Sequence, residues 1–277
     1  MKKIFIALLS AALLLTACSK NQKSGASTPK SIVALSPSAV EILYAVGAGS
    51  QISAVTDFAD YPEEAKSLPK VGGFDGKTLS MEKILSFKPD LVYLTDGMHN
   101  FLIEELEADG IAYYISNATS IEAVKNEILE VGKLTGHEKE AKVVLENMKT
   151  KLAKLSDGSV ENPKTVYYEV WNAPYMSVGT TSFINDVIAT AGARNIFDDL
   201  TDGYPVVSEE SIITRKPDVI LLTASSGVTA ASIAERAGWS EIPAVKNNKV
   251  FVIDDNLYSR PSPRIADAVN NLESLLK

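Results

Sequence analysis

Residues 80–90 read SMEKILSFKPD and run into LVYLT; residues 208–218 read SEESIITRKPD and run into VILLT. Six of the eleven positions are identical: the serine, glutamate, isoleucine, lysine, proline and aspartate of each copy. Each copy predicts a short helix whose leading serine is a good N-cap. Each helix stops at Lys-Pro, because proline disfavours αR in the residue before it. Each then enters a β-branched, apolar run, the pattern of a strand buried on both faces. Lys-Pro-Asp turns recur by common turn chemistry alone, but identity at the helix start as well points to duplication or shared function. The copies begin at Ser80 and Ser208, 128 residues apart and about half the chain, so two similar lobes are expected.

The rest of the chain fits that unit. Strands are expected at Ser31–Ser36, Ile52–Thr56, Leu91–Thr95 and Ile111–Ile115, with helical stretches between them. Ser36-Pro37-Ser38 caps a helix over Ala39–Val46, which Gly47 and Gly49 end. After a turn-rich patch from Asp157 to Pro163 the alternation restarts at Thr165–Val170, Asp218–Thr223 and Val250–Ile253. Strands alternating with helices imply parallel sheets covered on both faces. The middle is helical: Ile121–Leu134, a break at Gly136, then Glu138–Leu155. In the second stretch Ala141, Val144, Leu145, Met148, Leu152 and Leu155 share one face. The expected organisation is an α/β lobe over 31–136, a stiff linking helix over 137–160 and a second α/β lobe over 161–277. The competing arrangement is one continuous α/β domain with a long crossover.

Residues 1–17 stand apart from the fold. Lys2 and Lys3 precede an apolar run, Ile4–Leu15, that is too short to span a bilayer comfortably. It ends in Leu15-Thr16-Ala17-Cys18, which resembles a lipobox, so Cys18 is expected to carry a lipid after signal cleavage. An ordinary cleaved signal with a chance cysteine is the alternative. Cys18 is the only cysteine, which rules out an intramolecular disulfide. The polar stretch 18–30 reads as a flexible tether. These features place the protein outside the cytoplasm, attached to the membrane by its anchor alone. The net charge of −8 argues against nucleic acid as a partner.

Catalytic machinery is hard to assemble from this composition. There are two histidines, His99 and His137, and no G-x-S-x-G, H-E-x-x-H, Walker A or C-x-x-C pattern. His137 fits a helix-end role. His99 lies just past the carboxyl end of a strand, where parallel sheets place ligand loops, and is a candidate ligand contact or axial ligand. No metal site, catalytic residue or resident cofactor is expected. Tyr61, Phe74, Trp171, Tyr175, Tyr204 and Tyr258 fall in predicted loops, a distribution that suits a cleft for a large, flat, partly apolar ligand.

Several short motifs, in this order and spacing, resemble the cobalamin and iron-siderophore branch of the periplasmic binding proteins, from about Ser31 to Leu276. They are Leu35-Ser36-Pro37 with Glu41, Asp60-Tyr61-Pro62, Gly73-Phe74-Asp75-Gly76, Gly192 with Asn195-Ile196-Phe197, Arg260-Pro261-Ser262-Pro263-Arg264, and the two repeats. The resemblance implies a class III architecture: two parallel-sheet lobes joined by one long rigid helix, in a monomer that hands its ligand to an ABC permease and ATPase complex. It implies that Glu82 and Glu210 pair with permease arginines, beyond the bland reading that each favours its helix dipole. It also implies that Pro37, Tyr61, Phe74, Asp96, Trp171, Tyr204, Asn256 and Arg260 line the cleft. Phe74, Tyr204 and Leu257 stand where the cobalamin binders carry tryptophans, and Asn256 replaces an aspartate. The expected ligand is cobalamin or a related corrinoid, with haem or a ferric siderophore as the alternative. A secreted lipoprotein enzyme and a ligand sensor are the remote alternatives.

Overall fold

The computed structural model describes residues 27–153 and 161–277. The predicted signal peptide, Cys18 and most of the tether lie outside the described residues, as does the end of the predicted linking helix. The first half runs β1 (Ile32–Ala34), α1 (Pro37–Ala45), β2 (Ile52–Val55), α2 (Met81–Ser86), β3 (Leu91–Thr95), α3 (Ile103–Ala108) and β4 (Ala112–Ser116). Two helices follow, α4 (Ile121–Thr135) and α5 (Glu138–Leu152). The second half opens with β5 (Thr165–Glu169), β6 (Trp171–Asn172), β7 (Tyr175–Met176), α6 (Phe183–Thr190), β8 (Arg194–Asn195), α7 (Glu209–Arg215) and β9 (Val219–Thr223). It closes with α8 (Ala230–Ala234), α9 (Pro243–Lys246), β10 (Val250–Ile253), α10 (Asp255–Ser259) and α11 (Ile265–Leu276).

Each half builds one four-stranded parallel sheet. The orders are β2-β1-β3-β4 and β10-β9-β5-β8. Written from the other edge, the second is β8-β5-β9-β10, the same permutation as the first. The repeated segments occupy equivalent places in both sheets: α2 leads into β3, and α7 leads into β9.

The identical residues of the repeat have structural work. Ser80 Oγ accepts the Lys83 N–H at 3.2 Å, and Ser208 Oγ accepts the Ser211 N–H at 3.1 Å. Lys88 and Lys216, each before a proline, leave αR as expected, but for the left-handed region at φ 47° and 48°. Asp90 Oδ2 accepts the Ser31 N–H at 3.1 Å. Asp218 Oδ2 accepts the Thr165 N–H at 2.8 Å and its hydroxyl at 2.9 Å. In both halves the aspartate clips the turn onto the start of the sheet's first strand.

Alternation along the strands divides the core into three. Val33 and Val92 pack on one face of the first sheet with Ile84 and Leu106, and Ile220 and Leu222 pack on one face of the second with Ile212 and Trp239. The opposite faces do not form separate cores. Ile32, Ala34 and Tyr93 from the first sheet, and Val166, Tyr168 and Leu221 from the second, join one apolar cluster with α1, α4, α5, α6 and α11. Separating the halves would expose apolar surface at about 25 cal/mol per Å². The halves therefore meet through a shared core and not through a single helix alone.

Helix α5 buries Ala141 and Met148 in the shared core, with Val144, Leu145 and Leu152 partly buried against it. It folds back on α4 across Gly136, left-handed at φ 79°. A Cβ on Gly132 would lie 2.4 Å from the Ala141 Cβ, so glycine permits that close crossing. Three aromatics expected in loops are elsewhere. Trp171 and Tyr175 lie on opposite strands of the antiparallel β6–β7 ladder, paired with Met176 and Asn172 respectively, and Tyr258 is buried in α10 with its hydroxyl donating to Asn271. The sequence pattern missed the two-residue strands because two residues carry no periodicity. Among the described residues, no helix is long and apolar enough to cross a membrane.

Candidate functional site

Loops at the carboxyl ends of the strands of both sheets converge on a cleft of about 910 Å³. From the first half come Pro37 after β1, Phe58 after β2, Phe74 ahead of α2, Asp96 and Met98 after β3, and Asn117 after β4. From the second come Thr181 and Phe183 at the start of α6, Tyr204, Ser225 after β9, and Asp255, Asn256 and Arg260 after β10. Parallel sheets place ligands here because the strands end together and their loops vary freely.

Six of the eight expected contacts are in this wall: Pro37, Phe74, Asp96, Tyr204, Asn256 and Arg260. Tyr61 and Trp171 are not. The Tyr61 ring carries the Arg264 guanidinium at 4.0 Å and borders a separate depression of about 510 Å³ against α1 and α5. Trp171 stands 45% exposed on the β6–β7 ladder, outside both walls.

The wall also contains Phe58, which the sequence reading did not single out. Its ring stacks on Phe74 at 4.1 Å between centroids and 5° between planes. Phe58 is 49% exposed and Tyr204 is 47% exposed, so flat apolar faces stand in the cleft from both halves. Phe58 was findable: it sits in the same loop as Asp60 and Tyr61, directly after Asp57.

His99 is not a cleft contact. The side chain is fully buried, and its Nδ1 accepts the Thr95 N–H at 2.9 Å. Burial lowers its pKa to about 4, opposed only in part by the Phe74 backbone, so the ring is neutral at pH 7. It braces the loop after β3 from behind. His137 stands between α4 and α5 as the residue preceding α5, the helix-end position expected of it.

A charged cluster closes the junction beside the cleft. Glu41 of α1 is buried and accepts from Arg260 Nη1 (3.0 Å), Ser262 Oγ (2.6 Å), Arg264 Nε (2.9 Å) and Arg264 Nη2 (2.6 Å). Arg260 Nη1 also donates to Asp60 Oδ1 at 2.6 Å. Burial would raise the Asp60 pKa, but the bond and charge of Arg260 outweigh it and hold it low. Burial would likewise lower the pKa of Arg264, and Glu41 reverses this.

Glu82 and Glu210 stand exposed in the first turns of α2 and α7. Neither carboxylate has a hydrogen bond or ion pair with any described residue. Their neighbour Glu209 differs, accepting from Trp239 Nε1 at 2.8 Å and from the Tyr175 hydroxyl at 3.0 Å. Both helices run back against parallel strands, so their N-termini lie at the carboxyl ends of the sheets, the end that carries the cleft.

Two α/β halves of matching strand order, sharing one core and one large cleft, define a solute-binding protein. The family model described as periplasmic binding protein matches residues 32–257, and the chain belongs to that family. An uncharacterized ABC transporter substrate-binding lipoprotein, YvrC, of Bacillus subtilis is 34% identical over 253 residues, 88% of this chain and 79% of that one. The vitamin B12-binding protein of Vibrio vulnificus is 31% identical over 250 residues, 87% of this chain and 88% of that one. Among solved structures, a possible iron-binding (periplasmic solute-binding) protein from Staphylococcus epidermidis superposes with a TM-score of 0.77 at 31% identity, covering 90% of this chain and 99% of that one.

Proposed function

We propose that this protein is the substrate-binding lipoprotein of an ABC importer, that its cargo is cobalamin or a related corrinoid, and that it performs no catalysis on that cargo. The observation that carries the reading is the cleft itself. Its 910 Å³ is at the upper end of ligand-site volumes, and it presents the stacked Phe58–Phe74 pair from one half and Tyr204 from the other. Such walls suit a broad, flat macrocycle with apolar faces. The resemblance to vitamin B12-binding relatives along most of both chains supports the same cargo.

Delivery in this reading uses Glu82 and Glu210. They are unpaired, exposed and carried at equivalent places on the two lobes, a pattern suited to basic residues on a permease. A monomer, tethered by a lipid on Cys18 to the outer side of a membrane, would present both at once to the permease and ATPase complex. A haem or ferric-chelate cargo is the second reading, favoured by the likeness to the possible iron-binding protein.

The test is a calorimetric titration of the full chain in detergent micelles with cyanocobalamin, cobinamide, haemin and a panel of ferric siderophores. Submicromolar one-to-one binding of a corrinoid is the expected result. Binding of haemin or a siderophore alone would overturn the corrinoid assignment and keep the transport role.

A further inference from the structure

We propose that the cleft selects its cargo by charge, admitting neutral or cationic ligands and rejecting polyanions, with Asp57, Asp96 and Asp255 as the selecting residues. This deepens the reading of the cleft as the cargo site and rests on it.

Arg260 is the only cationic side chain in the cleft wall among the described residues. Its Nη1 is shared between Glu41 and Asp60, so its charge is already balanced by carboxylates of the protein. Its cluster holds two carboxylates, Glu41 and Asp60, and two guanidiniums, Arg260 and Arg264, and is neutral as a unit. What remains in the wall is acidic. Asp57 follows β2, Asp96 follows β3 and Asp255 opens α10, so three separate loops each contribute one carboxylate.

Neutral donors position two of these carboxylates without cancelling their charge. Asp96 Oδ1 accepts the Gly97 N–H at 2.9 Å and the Asn100 amide at 3.0 Å. Asp255 Oδ1 accepts the Ser225 N–H at 3.2 Å. Asp57 has no side-chain hydrogen bond or ion pair with a described residue. Lys70 attracts Asp57 through space, but its ammonium is held on the Ala59 and Ala65 carbonyls, both at 3.2 Å, and is not in the wall. Low-dielectric walls of one sign focus their field into a cleft. A haem brings two propionates and a ferric catecholate several negative charges, with no uncompensated cation in the wall to receive them. A corrinoid carries neutral amides around its ring, and its net charge depends on its axial ligands.

The experiment compares ligands of one shape and different charge. Full chain in detergent micelles is titrated with cyanocobalamin, which is neutral, and aquocobalamin, which is cationic, at low and high salt. A tetracationic and a tetraanionic porphyrin, together with haemin, test the same rule without a corrin ring. Three carboxylates acting on one extra positive charge across a hydrated cleft give roughly a tenfold preference for aquocobalamin at low salt, shrinking as salt rises. The D57N/D96N/D255N variant loses that preference, and each single substitution removes part of it, which keeps the test open if the triple variant folds poorly.

Equal affinities for the two cobalamins in the native chain, or haemin bound more tightly than either, would overturn the charge rule and leave the cargo site standing. If no corrinoid binds but the cationic porphyrin is preferred, and the preference vanishes in the variants, the rule holds and the corrinoid reading falls. Silence from every ligand overturns both.

Discussion

Arg260 Nη1 lies 3.0 Å from Glu41 Oε1 and 2.6 Å from Asp60 Oδ1, joining positions 219 and 200 residues apart in sequence. One guanidinium therefore ties the chain between α10 and α11 to both α1 and the loop after β2. Glu41 is the hub, with a side chain only 1% exposed and contacts to two arginines and Ser262. Glu41→Ala leaves two largely buried guanidiniums without their shared partner. A loss of about 3–5 kcal/mol in urea unfolding is expected, because breaking a buried pair from one side strands the other charge. A loss below 1 kcal/mol would remove the cluster from the stabilising contacts.

Glu82→Ala with Glu210→Ala should act in the opposite sense, on function and not on folding. Both side chains are exposed and unpaired, so stability should move by less than about 0.5 kcal/mol per site. Ligand affinity should be unchanged and uptake in cells abolished. Normal uptake by the double variant would end the docking proposal.

The stacked pair offers a direct test of the cleft. Phe74→Ala removes a face of the wall and leaves Phe58 without its stacking partner. Buried aromatic anchors dominate contacts of this kind, so a loss of affinity of about tenfold or more is expected by calorimetry. Trp171→Ala should change affinity much less, since Trp171 is outside the wall. The reverse ranking would place the cargo over the β6–β7 ladder.

His99 predicts a pH dependence with a definite sign. Its folded pKa is lowered to about 4, against 6.5 for the ordinary imidazole. Below pH 6.5 the unfolded chain therefore takes up a proton that the folded chain refuses until about pH 4. The stability linked to His99 is complete above pH 6.5, falls as pH drops towards 4 and amounts to about 3 kcal/mol. Urea midpoints at pH 7, 6 and 5 should fall more steeply for the native chain than for His99→Asn. Parallel slopes would show that folding does not lower the His99 pKa.

The aspartates of the repeat should differ in weight. Asp218 accepts both the N–H and the hydroxyl of Thr165 in a partly buried setting, whereas Asp90 bonds exposed N–H groups. Asp218→Ala is expected to cost about 1–3 kcal/mol and Asp90→Ala less than 1 kcal/mol, because a desolvated donor left unmatched carries the larger penalty. Thermal melts of the two variants would rank them.

Much of this was legible in the chain alone. Two copies of Ser-x-Glu-x-Ile followed by Lys-Pro-Asp gave equivalent capped helices, turns and buried strands, since caps, proline and β-branched runs act through local sterics and local hydrogen bonds. Six of the eight residues named by the resemblance stand in the cleft wall, because loops at strand ends inherit their place from the topology. Tyr61, which stacks on Arg264, and Trp171, on a short ladder, stand outside it. Both positions are set by partners that the local sequence does not contain.

Sequence by itself determined the alternation of the longer strands and helices and the two-lobe duplication, both set by periodicity and chemistry within a few residues, while the reading of Glu82 and Glu210 came from the family resemblance. Tertiary structure alone decided that the two lobes share one core, that Phe58 stacks on Phe74, that His99 is buried and that Arg260 is already bound by Glu41 and Asp60. The reason is range. Backbone preferences act over a turn or two of chain, whereas burial and charge pairing depend on which surfaces meet after the chain has closed on itself.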